Sequence, residues 1–222
     1  MGKIILVEGE PGTGKSRAIK NLNPETTIIV QPNNKDLPFK GGRTMYNEKK
    51  GNVIKTKSFI DLRQILKAVN EGSKFKTIII EDLTHYFSKR VIKESALKSF
   101  DKWLILAADA YKGLLEIEDD LREDLYIIII GHTQISEDSS GNRIINLQTP
   151  GKMLERSIKI PSYVTYVLHT DVQELDGKTQ YKFLTNKDGS GREAKSPEEC
   201  LDLLEDNDYQ LIIDKIEKYQ QK

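Results

Sequence analysis

The sequence predicts an α/β fold in which a mostly parallel central sheet is flanked by helices and finished by antiparallel strands at its C-terminal edge. Three observations point there. Short β-branched apolar runs alternate with longer helical patterns, as in a parallel sheet wrapped by helices. The runs Thr27-Ile28-Ile29-Val30, Ile78-Ile79-Ile80 and Ile127-Ile128-Ile129-Ile130 are continuous rather than alternating, the texture of strands buried on both faces. Beyond Gly131 the helical period gives way to strand-like segments, two of them joined through Asp176-Gly177, a hairpin pair. A chain of 222 residues is long enough to bury one sizeable core. One domain over 1–222 is expected, with its core reaching about residue 195 and C-terminal helices over 196–222.

In chain order, strands are expected at Lys3 to Val7, Thr26 to Gln31, Thr77 to Ile80 and Tyr126 to Ile130. A helix follows the first strand from Ser16 to Asn21. A second runs from Phe59 to Asn70, with Ser58 as N-cap, Gly72 just past its end, and Ile60, Leu62, Ile65, Leu66 and Val69 as its apolar stripe. A long helical stretch from Ser95 to Leu125 is expected to break near Gly113, its charged end Glu116 to Asp124 forming a solvated face. Arg143 to Leu147, Val164 to His169 and Tyr181 to Leu184 read as strands. Ser196-Pro197-Glu198-Glu199 carries a cap followed by proline and predicts a helix start, and Tyr209 to Tyr219 reads as a closing amphipathic helix.

Composition excludes several classes of function. The 34 basic and 34 acidic residues cancel, so no global field attracts nucleic acid or a membrane surface, and binding to DNA requires a local patch. No apolar run approaches the ~20 residues that span a bilayer, and the run Ile4 to Val7 is too short for a signal peptide. Cys200 is the one cysteine, which rules out disulfide frameworks and cysteine metal sites. The expected compartment is a cytoplasm, that of the host if the chain is phage-encoded.

The most specific motif is Gly9-Glu10-Pro11-Gly12-Thr13-Gly14-Lys15-Ser16, a match to G-x-x-x-x-G-K-[ST] that follows an apolar strand and opens a helix. Glycines there let backbone N–H groups converge on a phosphate, and the helix dipole adds to the field. Lys15 is expected to reach the β- and γ-phosphates and Ser16 to coordinate Mg²⁺, so ATP and Mg²⁺ are the expected ligands. Arg17, next in the helix, is counted with the loop as nucleotide-binding. A plain glycine turn would need neither Lys15 nor Ser16.

Two further clusters lie at strand ends. Glu81-Asp82 closes the third strand, where carboxylates face the ligand crevice of an open α/β sheet and can hold Mg²⁺ or orient water. Glu81 is expected in the Mg²⁺ shell through water and Asp82 as the base, although the two roles are exchangeable. Gly131-His132-Thr133-Gln134 follows the most hydrophobic strand. If that strand lies between the other two, His132 or Gln134 comes near the γ-phosphate and can sense hydrolysis. His85 and His169 have no comparable setting and are expected to be structural.

In order and spacing, the P-loop, Ile-Glu-Asp, Gly-His-Thr-Gln and the late segment Thr185-Asn186-Lys187-Asp188-Gly189 resemble the RecA-like phage ATPases, including those of single-strand-annealing type. Gln148 to Met153 and Lys195-Ser196-Pro197 also resemble segments of that group. The resemblance implies an ATPase acting in phage DNA recombination or replication, with single-stranded DNA as polymer and a ring or filament of identical subunits. It implies that a basic residue late in the domain reaches a neighbour's ATP. Lys187 matches the second basic position of that step, Thr185 occupies the first, and Lys152 and Arg156 are other candidates. The glutamate that RecA places past its second strand is absent, since Gln31 stands there, which leaves Glu81 or Asp82 as base and implies slow hydrolysis.

Other readings remain open at this point. A small-molecule or nucleotide kinase would suit the length, yet the five arginines beyond residue 80 do not cluster into a phosphate lid. A helical-lid ATPase conflicts with the strand-rich tail. An assembly or regulatory ATPase that never meets DNA is a further alternative. The basic stretch Asn34 to Lys57, with Phe39 and Tyr46 available for stacking, suits either single-stranded DNA or a solvated loop.

Overall fold

The computed structural model describes residues 2–93, 101–137 and 140–221, without the side chains at 101 and 152–154. Its strands are β1 Lys3–Gly9, β2 Thr27–Gln31, β3 Val53–Lys55, β4 Thr77–Ile80, β5 Tyr126–Glu137, β6 Arg143–Leu147, β7 Tyr166–Leu175, β8 Lys178–Leu184 and β9 Leu204–Asp206. The helices are α1 Gly42–Met45, α2 Phe59–Gly72, α3 Leu83–Lys93, α4 Asp101–Leu114, α5 Lys152–Ser157, α6 Ile160–Tyr163 and α7 Tyr209–Gln220. The sheet order is β3-β2-β4-β5-β1-β7-β8-β9, with β6 paired to β5 off this path. From β3 to β7 every neighbouring pair is parallel, and β8 and β9 close the edge antiparallel. This is the mixed α/β class that the sequence predicts.

The isoleucine runs explain the layering. Side chains alternate faces along a strand, so Ile4, Leu6, Ile78, Ile80, Ile127 and Ile129 pack on one side with residues of α2, α3 and α4. Ile5, Val7, Ile79, Ile128 and Ile130 pack on the other, against Ala18, Ile19 and the Tyr209, Ile212, Ile213 and Ile216 face of α7. Apolar residues on both faces are what a central strand needs, since neither face meets water.

Several elements depart from expectation. Ser16–Asn21 is helical within its expected bounds but is a 3-10 helix, stopped as Asn23-Pro24 approaches. No helix starts at Ser196; the segment turns at Glu199, whose φ is 59°, and feeds the edge strand β9, so α7 is the only helix described beyond residue 196. The stretch read as a basic loop contains α1 and the edge strand β3. Helix α3 begins directly after Asp82, where no helix was expected, and α4 with a 3-10 turn at Glu116–Asp120 replaces the expected long helix; residues 94–100, with Leu97 and Phe100, lie outside the described residues. Strand β5 does not end at Ile130 but continues into a hairpin with β6. Ser58 caps α2 as expected, its Oγ accepting from the N–H groups of Ile60 and Asp61, and Asp176-Gly177 forms the β7–β8 turn with both residues at positive φ. No helix among the described residues is long and apolar enough to cross a membrane.

Candidate functional site

Strand β5 lies between β1 and β4, as the reading of His132 required. Three strand ends therefore converge: Gly9 pairs in register with His132, and Ile80 with Ile129. The resulting cleft, of about 300 Å³, is lined by Pro11, Gly12, Gly14, Lys15, Ser16 and Arg17 of the loop, and by Glu81, Asp82, Gly131 and His132.

The loop is anchored from the neighbouring strand. A Cβ at Gly9 would sit 1.7 Å from Oγ1 of Thr170 on β7, so only glycine admits this approach. The Thr170 hydroxyl in turn meets the Thr13 hydroxyl at 2.6 Å, and Thr13 Oγ1 lies 2.7 Å from the Glu10 carbonyl oxygen. Gly12 and Gly14, at φ 82° and 98°, take left-handed turns that glycine adopts without steric cost. From below, the buried Tyr209 hydroxyl donates to the Lys15 carbonyl at 2.8 Å, which ties α7 to the loop.

Lys15 is buried and donates to the Gly9 and Glu10 carbonyls at 2.7 and 2.6 Å, with its Nζ 3.4 Å from His132 Nδ1. Burial lowers its ammonium to about 8, against the opposing pull of Asp82 and Glu81. Ser16 donates to Glu81 Oε1 in a very short bond, while Glu81 Oε2 is buried with no hydrogen-bond partner. Burial raises the Glu81 carboxyl above its usual range and the Ser16 bond partly offsets this. A hydroxyl and a carboxylate already in contact, with one buried oxygen unpaired, form a donor set that suits Mg²⁺. Glu81 thus stands beside Ser16, whereas Asp82, at φ 63°, turns toward two imidazoles. Burial disfavours its ionisation, yet the imidazoles of His132 and His85 outweigh it and hold the carboxyl at about 2.

The structure brings together Lys15, Ser16, Glu81, Asp82 and His132. It does not bring Gln134, which pairs with Asn146 of β6 and lies outside the cleft lining: two residues beyond His132 on an extended strand is ~6.6 Å further on. Lys187 and Arg156 are exposed and do not line this cleft, and the side chain of Lys152 lies outside the described residues. His85 is not a distant structural residue, since α3 folds it back onto Asp82. His169 is buried as expected of a structural residue, its Nδ1 2.9 Å from the Thr170 carbonyl oxygen. Sequence reasoning missed Lys35 and Tyr181, both of which line the cleft. Tyr181 comes from β8 and carries the Arg17 guanidinium 5.0 Å from its ring centroid. Only the pairing of β8 with β7 gives it that place, so nothing local to the loop could have announced it.

No protein-family model matches the chain, and no curated protein matches it. Among solved structures it is similar to a KaiC-like protein from the hyperthermophilic archaeon Pyrococcus horikoshii, with a TM-score of 0.43 and 15% identity, over 83% of this chain and 78% of that chain.

Proposed function

We propose that the chain is a Mg²⁺-dependent ATPase whose turnover is coupled to single-stranded DNA in recombination or replication. The observation that carries the hydrolytic part is the convergence of Lys15, Ser16, Glu81 and His132 on one cleft, through a strand order that inserts β5 between the loop strand and the acidic strand. Ser16 and Glu81 would hold Mg²⁺, which when bound neutralises charge between the phosphates. Backbone N–H groups of the loop would bind phosphate, and Lys15 would exchange its two carbonyl partners for phosphate oxygens. Asp82 stays ionised across the neutral range and aligns the attacking water, while a carboxylate so stabilised accepts a proton weakly, in keeping with slow turnover. His132, whose backbone N–H donates to Thr84 Oγ1 at 3.0 Å, would sense the loss of the γ-phosphate. Tyr181, with the Arg17 guanidinium over its ring, would supply a stacking surface for the nucleobase.

The DNA part is supported by a second cleft of about 870 Å³, lined by Pro32, Asn33 and Asn34 and by the cations Lys55, Lys57, Lys89, Arg90 and Lys93. Asp61 and Asp109 are its acidic residues, leaving an excess of positive charge suited to a phosphodiester backbone. Stacking by Tyr46 is not part of this reading: that ring is buried and its hydroxyl donates to the Leu22 carbonyl.

The test is phosphate release from ATP, with and without single-stranded DNA and with nucleoside monophosphates present. Stimulation by DNA that is lost in Lys57→Glu is expected. Stoichiometric phosphoryl transfer to a monophosphate would instead identify a kinase, and unstimulated hydrolysis an ATPase that does not meet DNA.

A further inference from the structure

Helix α3 leaves the acidic strand so tightly that its first turn returns over the strand end. His85 Nδ1 then lies 2.5 Å from Asp82 Oδ2, and His132 Nε2 lies 3.5 Å from Asp82 Oδ1. One ligand atom from each of the three residues falls within 4.8 Å of the other two. His85 Nδ1 is held by the Asp82 Oδ2 contact, while the other carboxylate oxygen, Asp82 Oδ1, is buried without an aligned hydrogen-bond partner. Metal–ligand bonds of about 2.0–2.2 Å in a tetrahedral site put ligand atoms roughly 3.4 Å apart, so the 3.5 Å spacing of His132 and Asp82 matches a shared ion, whereas the closer His85–Asp82 pair must open by about 1 Å to admit it. Asp82 is 6% exposed and holds a left-handed backbone conformation that non-glycine residues rarely adopt, strain that is retained where the surroundings dictate a position.

We propose that Asp82, His85 and His132 form a binding site for a borderline divalent cation of the Zn²⁺ type, separate from the Mg²⁺ position at Ser16 and Glu81. The donor chemistry makes the distinction. Two imidazoles and one carboxylate suit Zn²⁺ or Co²⁺, whereas Mg²⁺ prefers oxygen ligands and keeps its waters. Three protein ligands leave coordination positions free, the pattern of reactive rather than structural zinc sites. The Lys15 ammonium, 3.4 Å from the far side of the His132 ring, opposes a cation. The adjacent buried carboxylates of Glu81 and Asp82 offset it. Because the Thr84 hydroxyl accepts from the His132 N–H, α3 and β5 are locked together and the spacing between the two histidines is set without the ion. Asp82 and His132 also line the nucleotide cleft, so the ion would place a second positive charge at its phosphate end.

The experiment uses the full chain, stripped by chelator and free of nucleotide, so that its outcome is independent of ATP hydrolysis. Co²⁺ is titrated and followed by its visible d–d absorption, then displaced by Zn²⁺. The expected result is one Co²⁺ per chain with the strong bands of a low-coordinate site, insensitive to Ser16→Ala and weakened more than about tenfold in affinity by His85→Ala or His132→Ala. His85→Cys keeps a ligand at the same position and is expected to add a sulfur-to-cobalt charge-transfer band, which guards against misfolding of the alanine variants. Failure to bind Co²⁺, binding unaffected by His85→Ala with no new band in His85→Cys, or binding lost in Ser16→Ala alone would each overturn the proposal.

Discussion

At the scale of single residues, the strand end that enters the loop carries an uncompensated carboxyl. Glu8 is fully buried, neither of its oxygens has a hydrogen-bond partner, and it precedes the glycine on which the phosphate loop turns. Burial raises its pKa well above the usual value, Glu193 adds to the rise and Lys159 opposes it. In the unfolded chain such a group loses its proton near pH ~4.3. Above that pH the folded protein retains a proton that the unfolded chain has lost, so stability falls as pH rises, by about 1.4 kcal/mol per unit until the folded-state pKa is passed. Glu8→Gln, which mimics the neutral acid, is therefore expected to gain stability relative to the parent between pH 5 and pH 8, measured as denaturant midpoints. An identical pH dependence in the two proteins would mean that Lys159 keeps the carboxylate charged. Residue identity was legible where chemistry is written locally: Lys15, Ser16 and Glu81 meet as their motifs require. It was not legible for His85, whose role depends on the one helical turn that α3 makes after Asp82.

At the scale of elements, α7 is an underpinning for the loop rather than a terminal appendage. Its first residue, Tyr209, is fully buried, stacks on Phe183 of β8 at 5.5 Å and donates to the Lys15 carbonyl. Asp208 caps the helix through the N–H groups of Gln210 and Leu211, and Asn21, at the end of the loop's own 3-10 helix, donates to it at 2.5 Å. Tyr209→Phe removes one hydrogen bond to that carbonyl, at a cost of about 0.5–1.5 kcal/mol, and is expected to weaken nucleotide affinity along with stability. Chemical denaturation together with ATP titration checks this; a loss of stability with unchanged affinity would show that the loop holds its shape without α7. The turn after β8 is similarly braced: Arg192 pairs with Asp188 at 2.6 Å and with Asp171, while Asp188 accepts from the N–H and hydroxyl of Ser190. The exposed Lys187 sits at the edge of this clamp.

At the scale of the whole molecule, Ser16 and Glu81 meet in a cleft built by one chain. The cations expected from beyond it, Lys187 and Arg156, are on the surface of the same chain and outside the cleft. In an assembly of identical subunits, a braced Lys187 is suited to enter a neighbour's site and stabilise charge on the γ-phosphoryl oxygens. Lys187→Ala is then expected to lower turnover of the assembled protein by at least about tenfold while ATP binding is retained. Unchanged turnover at a concentration where sedimentation shows the assembly would exclude the lysine. By itself the sequence determined the central strands, the phosphate loop and the acidic strand end, because isoleucine runs, glycine spacing and a Lys-Ser pair act over a few neighbouring residues. Tertiary structure alone decided the rest. The order β4-β5-β1 brings His132 to Lys15, the return of α3 adds His85 to Asp82, the hairpin of β7 and β8 delivers Tyr181 and Thr170 to the loop, and the extended step along β5 carries Gln134 out of reach. Each depends on pairing between residues far apart in the chain, where contact is set by sheet register and packing rather than by local conformational preference.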